Sequence, residues 1–100
     1  MIQRIFTVTA KVWLYPGKTA WHFVSIPIET TKEIDFYFAH EKRGWGSLPV
    51  RVTIGESIWK TSIFPDKKTG TFLLPIKAAV RKAENIQDTD AITLILEVLH

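Results

Sequence analysis

Apolar and polar residues alternate along residues 2–15, and this period of two predicts a β-strand with one buried face. The positions predicted to face inwards are the even-numbered ones, and all of them except Arg4 are apolar. Pro16 and Gly17 favour a turn, because proline fixes φ and glycine accepts a positive φ. A second predicted strand over about 21–28 would complete a hairpin.

Residues 29–41 carry signals of both a strand and a helix. The aromatic run Phe36–Phe38 favours a strand by propensity. Thr30 and Glu33 have the spacing of a capping box, and the apolar residues that follow recur at helical intervals. We therefore predict a helix over this segment, ended by the glycines within residues 43–46.

Alternation resumes after residue 47 and predicts a second group of strands. The predicted elements are the strands Leu48–Ile54, Ser57–Phe64 and Thr71–Leu74, with a hairpin loop at Pro65–Gly70. A last strand over Ala91–Leu99 would place Ile92, Leu94, Leu96 and Val98 on its buried face.

Between these strands the period changes to that of a helix, which we predict to begin at Pro75. Proline fits a first helical turn because its missing N–H is not needed there. Lys77 and Arg81 lie one turn apart, and Glu84 is the expected acceptor for Arg81. The apolar stripe on the other side consists of Ile76, Ala79, Val80 and Ala83.

The two halves of the chain resemble each other. Residues 11–28 and 61–76 each contain an apolar strand ending at a proline, a loop, and a second apolar strand with a proline before a helix. Pro27 and Pro75 take corresponding positions. We predict a duplicated strand–strand–helix–strand unit that closes into one pseudo-symmetric barrel, whose closure would protect short strand edges. Chance similarity between two apolar hairpins is the alternative.

Composition narrows the class of protein. The 100 residues suffice for one domain, which we expect to span 1–100, and a hydrophobic fraction of 46% excludes a disordered chain. The chain has no cysteine, which excludes disulfides and thiolate chemistry. No long apolar run or leader-like start is present, so we expect a cytoplasmic protein without a membrane partner.

Four blocks of sequence, in order, resemble one small prokaryotic family, the domain of unknown function DUF1905. The blocks are Gly44–Val50, Thr53–Gly55, Trp59–Pro65 and Leu74–Lys82. The resemblance covers about the whole chain and implies a double-split β-barrel of about six strands with two short helices. It implies no established activity. Longer relatives append a helical, bacteriocin-protection-like segment that is absent from this sequence, so we do not carry that role over.

One position departs from the family pattern. Members commonly have Gly-Asp before the last strand, where this chain has Thr89-Asp90. If the turn requires a positive φ, threonine would be strained there, so we expect that the local turn differs.

Residue types give little support for catalysis. His22, His40 and His100 lack the spacing of a metal site, and neither a nucleophile elbow nor a phosphate-binding loop is present. We therefore expect no enzymatic activity, no catalytic residues, no metal site and no cofactor.

Charge and tryptophan supply the remaining candidates. Residues 57–82 carry a net +5, whereas residues 83–100 carry −4. A basic stretch of this kind suits an anion or nucleic acid, although exposed charge is ordinary for a domain surface. The candidate anion or nucleic-acid contacts are Lys60, Lys77, Arg81 and Lys82, and the candidate pocket aromatics are Trp21, Trp45 and Trp59. Tryptophans in a small barrel more often fill the core or cap its ends.

The sequence therefore predicts a non-enzymatic binding or interaction module, with nucleic acid or another protein as its partner, and either a monomer or a weak homodimer. Two more specific functions stay open. One is nucleic-acid binding through the basic 57–82 segment, and the other is binding of a small molecule at the mouth of the barrel.

Overall fold

Six antiparallel strands form a closed barrel in the part of the chain that the structure describes, residues 3–17 and 20–99 of this computed structural model. The strands are β1 (Ile5–Leu14), β2 (His22–Ser25), β3 (Leu48–Ile54), β4 (Ser57–Asp66), β5 (Thr71–Pro75) and β6 (Ala91–Val98). The helices are α1 (Ile28–Phe38) and α2 (Ala78–Ala83), with 3-10 turns at Ala39–Glu41 and Gly44–Gly46. Hydrogen-bonded neighbours follow the order β1-β2-β5-β4-β3-β6 around the ring. The predicted mainly β, six-stranded barrel is confirmed.

Alternate residues of each strand fill the interior of the barrel. In β3 every second residue from Leu48 to Ile54 is buried, and those between are half-buried. The register pairs inward residues across strands, as with Val52 and Leu96. Burying a side chain of this size contributes about 1.5–3 kcal/mol, so the alternation also fixes the register. The predicted inward face of β6 is correct, with Leu94, Leu96 and Val98 buried and Ile92 half-buried against the core.

Each of the two longest strands pairs with one neighbouring strand along its first part and with the other neighbour along its last part. The barrel wall is therefore split in two places. β1 pairs with β6 through residues 5–11 and with β2 through residues 12–14. β4 pairs with β3 through residues 57–63 and with β5 through residues 64–66. The barrel is therefore double-split, as the family resemblance implies. α1 follows the β1–β2 hairpin and α2 follows the β4–β5 hairpin.

The strand pairing is unchanged when the halves are exchanged. Replacing β1, β2 and β3 by β4, β5 and β6, and the reverse, reproduces every neighbour pair in the ring. This pairing is what a duplicated unit would produce, and the duplication itself stays a prediction.

The first helix forms where we predicted it, but its start is different. α1 begins at Ile28, preceded by Pro27 in an extended conformation, and the Thr31 N–H donates to the Pro27 carbonyl at 2.8 Å. Thr30 is therefore inside the helix, and the predicted capping box is wrong. Thr31 is buried and uses its hydroxyl to join α1 to the sheet. It donates to the Ile26 carbonyl and accepts from the Phe72 N–H, both at 3.2 Å.

The second helix is shorter than predicted, and Pro75 does not begin it. Pro75 pairs with Phe23 in the β2–β5 ladder, and the ladder extends through the Ile76 N–H, which donates to the His22 carbonyl. α2 therefore starts at Ala78. Of the predicted apolar stripe, Ile76 and Val80 are buried, whereas Ala79 and Ala83 are exposed. β4 likewise runs to Asp66, so the predicted loop at residues 65–70 is shorter.

A few predictions fall on residues that the structure leaves undescribed. Ile2 of the first predicted strand and His100 lie outside the described residues, as do Lys18 and Thr19 of the first hairpin loop. None of the helices in the described ranges has the length and apolar character needed to span a membrane.

Candidate functional site

A cavity of about 540 Å³ opens at the split between β4 and β5. Aromatic and apolar side chains from three parts of the chain form its walls, and α2 lies at its edge. The lining residues are Ala20, Trp21, His22, Trp59, Lys60, Thr61, Phe64, Pro75, Ile76, Lys77, Ala78 and Arg81. Its volume is within the range of small-molecule sites, which are also largely apolar with a few convergent polar groups.

Three of the four predicted cationic contacts meet at this cavity. Lys60 is exposed on β4, Lys77 is the residue before α2, and Arg81 is half-buried one turn into α2. The lining residues include no carboxylate. The ion pairs found among the described residues involve other basic groups: Arg4, His40, Lys42 and Arg51. The cavity therefore has a positive edge whose charge is available to an anion.

A hydrogen bond to the backbone holds the Arg81 side chain. Its Nε donates to the Ile76 carbonyl at 3.2 Å. The predicted pairing of Arg81 with Glu84 is wrong. Glu84 instead accepts a hydrogen bond from the Ser57 hydroxyl at 2.6 Å, which ties the end of α2 to the start of β4.

The predicted aromatic residues divide between two places. Trp21 and Trp59 both line the cavity. Trp59 points inwards on β4 and packs half-buried against the core, because its partner in the β3–β4 register is the buried Val52. Trp21 is 54% exposed and stacks on Phe23, with ring centroids 5.9 Å apart and planes at 20°.

Trp45 lies apart from this cavity. It sits on the Gly44–Gly46 turn with φ of +65°, and its side chain is 94% exposed. It borders a neighbouring depression of about 600 Å³ together with Phe64, Pro65 and Lys67. None of the four tryptophans is fully buried: Trp13 and Trp59 are half-buried, Trp59 against the core, and Trp21 and Trp45 are exposed.

Lys82 also lies away from the cavity, being exposed on α2 and absent from the lining. Sequence reasoning missed two residues that do line it, His22 and Phe64. The signal for Phe64 was its alternation with the inward Ile63, which places it on the outer face of β4 beside the split.

His22 adds the only imidazole to the lining. Its Nδ1 lies 2.9 Å from the Ala20 carbonyl, and since a carbonyl oxygen only accepts, this nitrogen carries the proton. In the neutral ring, Nε2 is then an acceptor. The site thus combines apolar walls, cationic donors and one potential acceptor.

Comparison with known proteins agrees with the family resemblance of the sequence. No curated protein matches this chain. Residues 9–96 match the family described as "Domain of unknown function (DUF1905)", and because this match covers most of the sequence, the protein belongs to that family.

Proposed function

We propose that this protein is a non-enzymatic binding module whose ligand combines an anionic group with a planar, apolar body. The ligand site is the cavity between β4 and β5. The observation that carries the proposal is the gathering of Lys60, Lys77 and Arg81 with two tryptophans around one opening, without a carboxylate among the lining residues.

The charge arrangement supports an anion. Three positive groups close together repel each other, and an anion removes that repulsion while gaining charge-assisted hydrogen bonds. Arg81 is held by its bond to the Ile76 carbonyl, so less side-chain freedom is lost when a ligand binds.

The walls support an apolar, planar group. Trp21 is 54% exposed, and Trp59 also belongs to the lining, where it packs half-buried against the core. Aromatic faces bind planar groups by burying area and by stacking. A simple inorganic anion would leave this surface exposed to water.

The anionic dye 1-anilinonaphthalene-8-sulfonate provides a direct test, because it joins a sulfonate to fused rings. We expect saturable binding, followed by dye fluorescence, that weakens as salt is added. Lys60→Glu/Lys77→Glu should weaken it about tenfold or more, which corresponds to roughly 1.4 kcal/mol. Both lysines are exposed, so the fold should be retained.

Lys32→Glu/Lys68→Glu is the matched control, since it changes the net charge equally at exposed sites outside the cavity lining. It should bind the dye almost as the parent protein does. Equal losses in both variants would show that overall charge alone governs binding, and unchanged binding in the cavity variant would contradict the proposed site.

A cytoplasmic location and a monomeric or weakly dimeric state belong to the same proposal. The location rests on the composition of the sequence. The oligomeric state rests on the cationic edge of the site, which would repel the same edge of a second copy. Sedimentation of the purified protein tests the oligomeric state.

A further inference from the structure

Aromatic side chains continue from the cavity onto the outer face of β1 and β2. Trp13 pairs with Phe23, which pairs in turn with Pro75 of β5. Their neighbours Val12, Val24 and Leu74 are buried, so strand alternation directs the first three residues outwards. Tyr15 and Trp21 extend the face, since the Tyr15 N–H donates to the Trp21 carbonyl at 2.8 Å.

These side chains form one connected aromatic ladder: Trp13, Tyr15, Trp21 and Phe23. Phe23 lies at its centre, with its ring centroid 5.3 Å from that of Trp13 and 6.0 Å from that of Tyr15. Tyr15 and Trp21 are 50% and 54% exposed. Trp13 and Phe23 are half-buried, so the ladder consists of two exposed and two half-buried rings on the outer face of the sheet.

The ladder, the cavity and the Trp45 turn make one continuous surface. Trp21 belongs to both the ladder and the cavity lining, and Phe64 lines both the cavity and the depression beside Trp45. The surface thus crosses β1, β2, β5 and β4, beyond the extent of a single small ligand.

Basic side chains border the same surface along its length. Lys60, Lys77 and Arg81 border its middle, and Lys67 borders the depression at the Trp45 end. The carboxylate on β4 is that of Asp66, which accepts from the Thr69 hydroxyl at 2.8 Å and lies outside the lining of both the cavity and the depression. An elongated ligand would therefore find aromatic faces and cations together along its path.

We propose that this surface binds single-stranded nucleic acid, with bases stacked on the ladder and phosphates held by Lys60, Lys77 and Arg81. The inference rests on the proposed function, because it assigns the chemical class of ligand to the same cavity. Aromatic platforms beside cations are how single strands are held without sequence preference. A duplex hides its base faces, so it could use the cations but not the ladder.

The test is fluorescence anisotropy with a labelled oligothymidylate of about 12 nucleotides, long enough to cross the surface. We expect saturable binding that weakens steeply with salt, and at least tenfold weaker binding of a duplex of equal length. Lys60→Glu/Lys77→Glu should weaken oligothymidylate about tenfold or more. Phe36→Ala, which removes an 81% exposed ring on α1, is the control and should bind normally.

A ladder variant separates this inference from the proposed function. Tyr15→Ala removes a half-exposed ring of the ladder outside the cavity lining, keeps all four tryptophans, and leaves Trp21 stacked on Phe23. It should weaken oligothymidylate about tenfold while binding anilinonaphthalene sulfonate as the parent protein does. Circular dichroism and thermal unfolding of the variant check that the barrel is intact.

Each alternative result has a definite meaning. Dye binding without oligothymidylate binding would overturn this inference and leave the proposed function standing. Equal binding of single strand and duplex, or an intact affinity in the ladder variant, would overturn the stacking role. Self-association that the ladder variant abolishes, with no affinity for nucleic acid, would assign the face to a second copy. Failure of both probes would overturn both proposals.

Discussion

Three non-glycine residues in the described part of the chain have a positive φ, and each has a different physical basis. Asn85, at +53°, follows α2 and ends it, since the Ile86 N–H donates to the Arg81 carbonyl at 2.8 Å. This bond pattern is that of a Schellman motif, where asparagine is the usual alternative to glycine. Trp45 and Thr89 are the two positions where the conformation costs more.

Thr89 is the departure from the family pattern, and its backbone has a conformation that suits glycine. Its φ is +73°, so the strain that we expected for threonine at a positive φ is present. The turn is fixed by its neighbours: the Thr89 N–H donates to the Val12 carbonyl, and the Asp90 carboxylate accepts from the Gln87 N–H, both at 2.8 Å.

Thr89→Gly should therefore stabilise the protein. Relief of the left-handed conformation gains about 1–2 kcal/mol, and the added freedom of the unfolded chain offsets part of it. We expect a net gain of about 1 kcal/mol in the free energy of unfolding, measured by urea titration. Thr7→Gly, in the middle of β1, is the control and should lose about 0.5–1 kcal/mol. A loss at both positions would show that the Thr89 turn is not strained.

Among single residues, some members of the candidate site can be predicted from the sequence and others cannot. The cations at 60, 77 and 81 were predicted because charge is visible in the sequence, and the structure brings them together. The place of Trp45 was not predictable, since it depends on the Gly44–Gly46 turn packing against β4. A Cβ on Gly46 would approach the Pro65 side chain to 3.0 Å, so only glycine lets the turn sit so close.

Among the elements, α2 determines the geometry of the cationic edge, yet its six residues are too few for a stable isolated helix. Tertiary contacts hold it: Val80 is buried in the core, and Glu84 accepts from Ser57. The Glu84 carboxylate also lies over the β3–β4 turn, where a Cβ on Gly55 would clash with it.

Glu84→Ala should loosen this attachment. Losing a hydrogen bond to a charged acceptor and leaving the Ser57 hydroxyl without it costs about 1–2 kcal/mol of unfolding free energy. Glu84→Gln keeps an acceptor at the same place and should lose less than half as much. Thermal unfolding of both variants measures the difference. If the two variants lose equal stability, the Ser57 bond is not what holds α2.

The elements themselves were largely predictable because each strand has one apolar face. The helix starts were not. Pro27 and Pro75 look equivalent in the sequence, but Pro27 directly precedes α1, whereas Pro75 is still paired with Phe23 in the sheet. That difference is set by contacts between distant strands, which local sequence does not contain.

In the whole molecule, the strand pairing is pseudo-symmetric, but the two helices differ in length and in what they bury. α1 has eleven residues and buries Thr31, Ile34 and Phe38, whereas α2 has six and buries Val80. The cavity opens at the split beside the shorter helix. The internal similarity of the sequence predicted the barrel, but the cavity arises where the halves differ, and for that reason the similarity did not predict it.

Closure of the ring also predicts the folding rate. β1 and β6 pair over seven residues, from Ile5 with Glu97 to Lys11 with Ala91, so the ladder joins segments far apart in sequence. Non-local pairing of this kind gives folding on a scale of about milliseconds to seconds. Stopped-flow refolding followed by tryptophan fluorescence should show this scale, and relaxation within microseconds would contradict it.

The same ladder has a consequence for the chain as it is synthesised. Until β6 has left the ribosome, β1 and β3 have no common neighbour, and each presents an unpaired edge. Such edges pair readily with other chains. Pairing of β6 with both β1 and β3 therefore closes the ring and covers both edges, and protection from edge-to-edge aggregation comes only with that step.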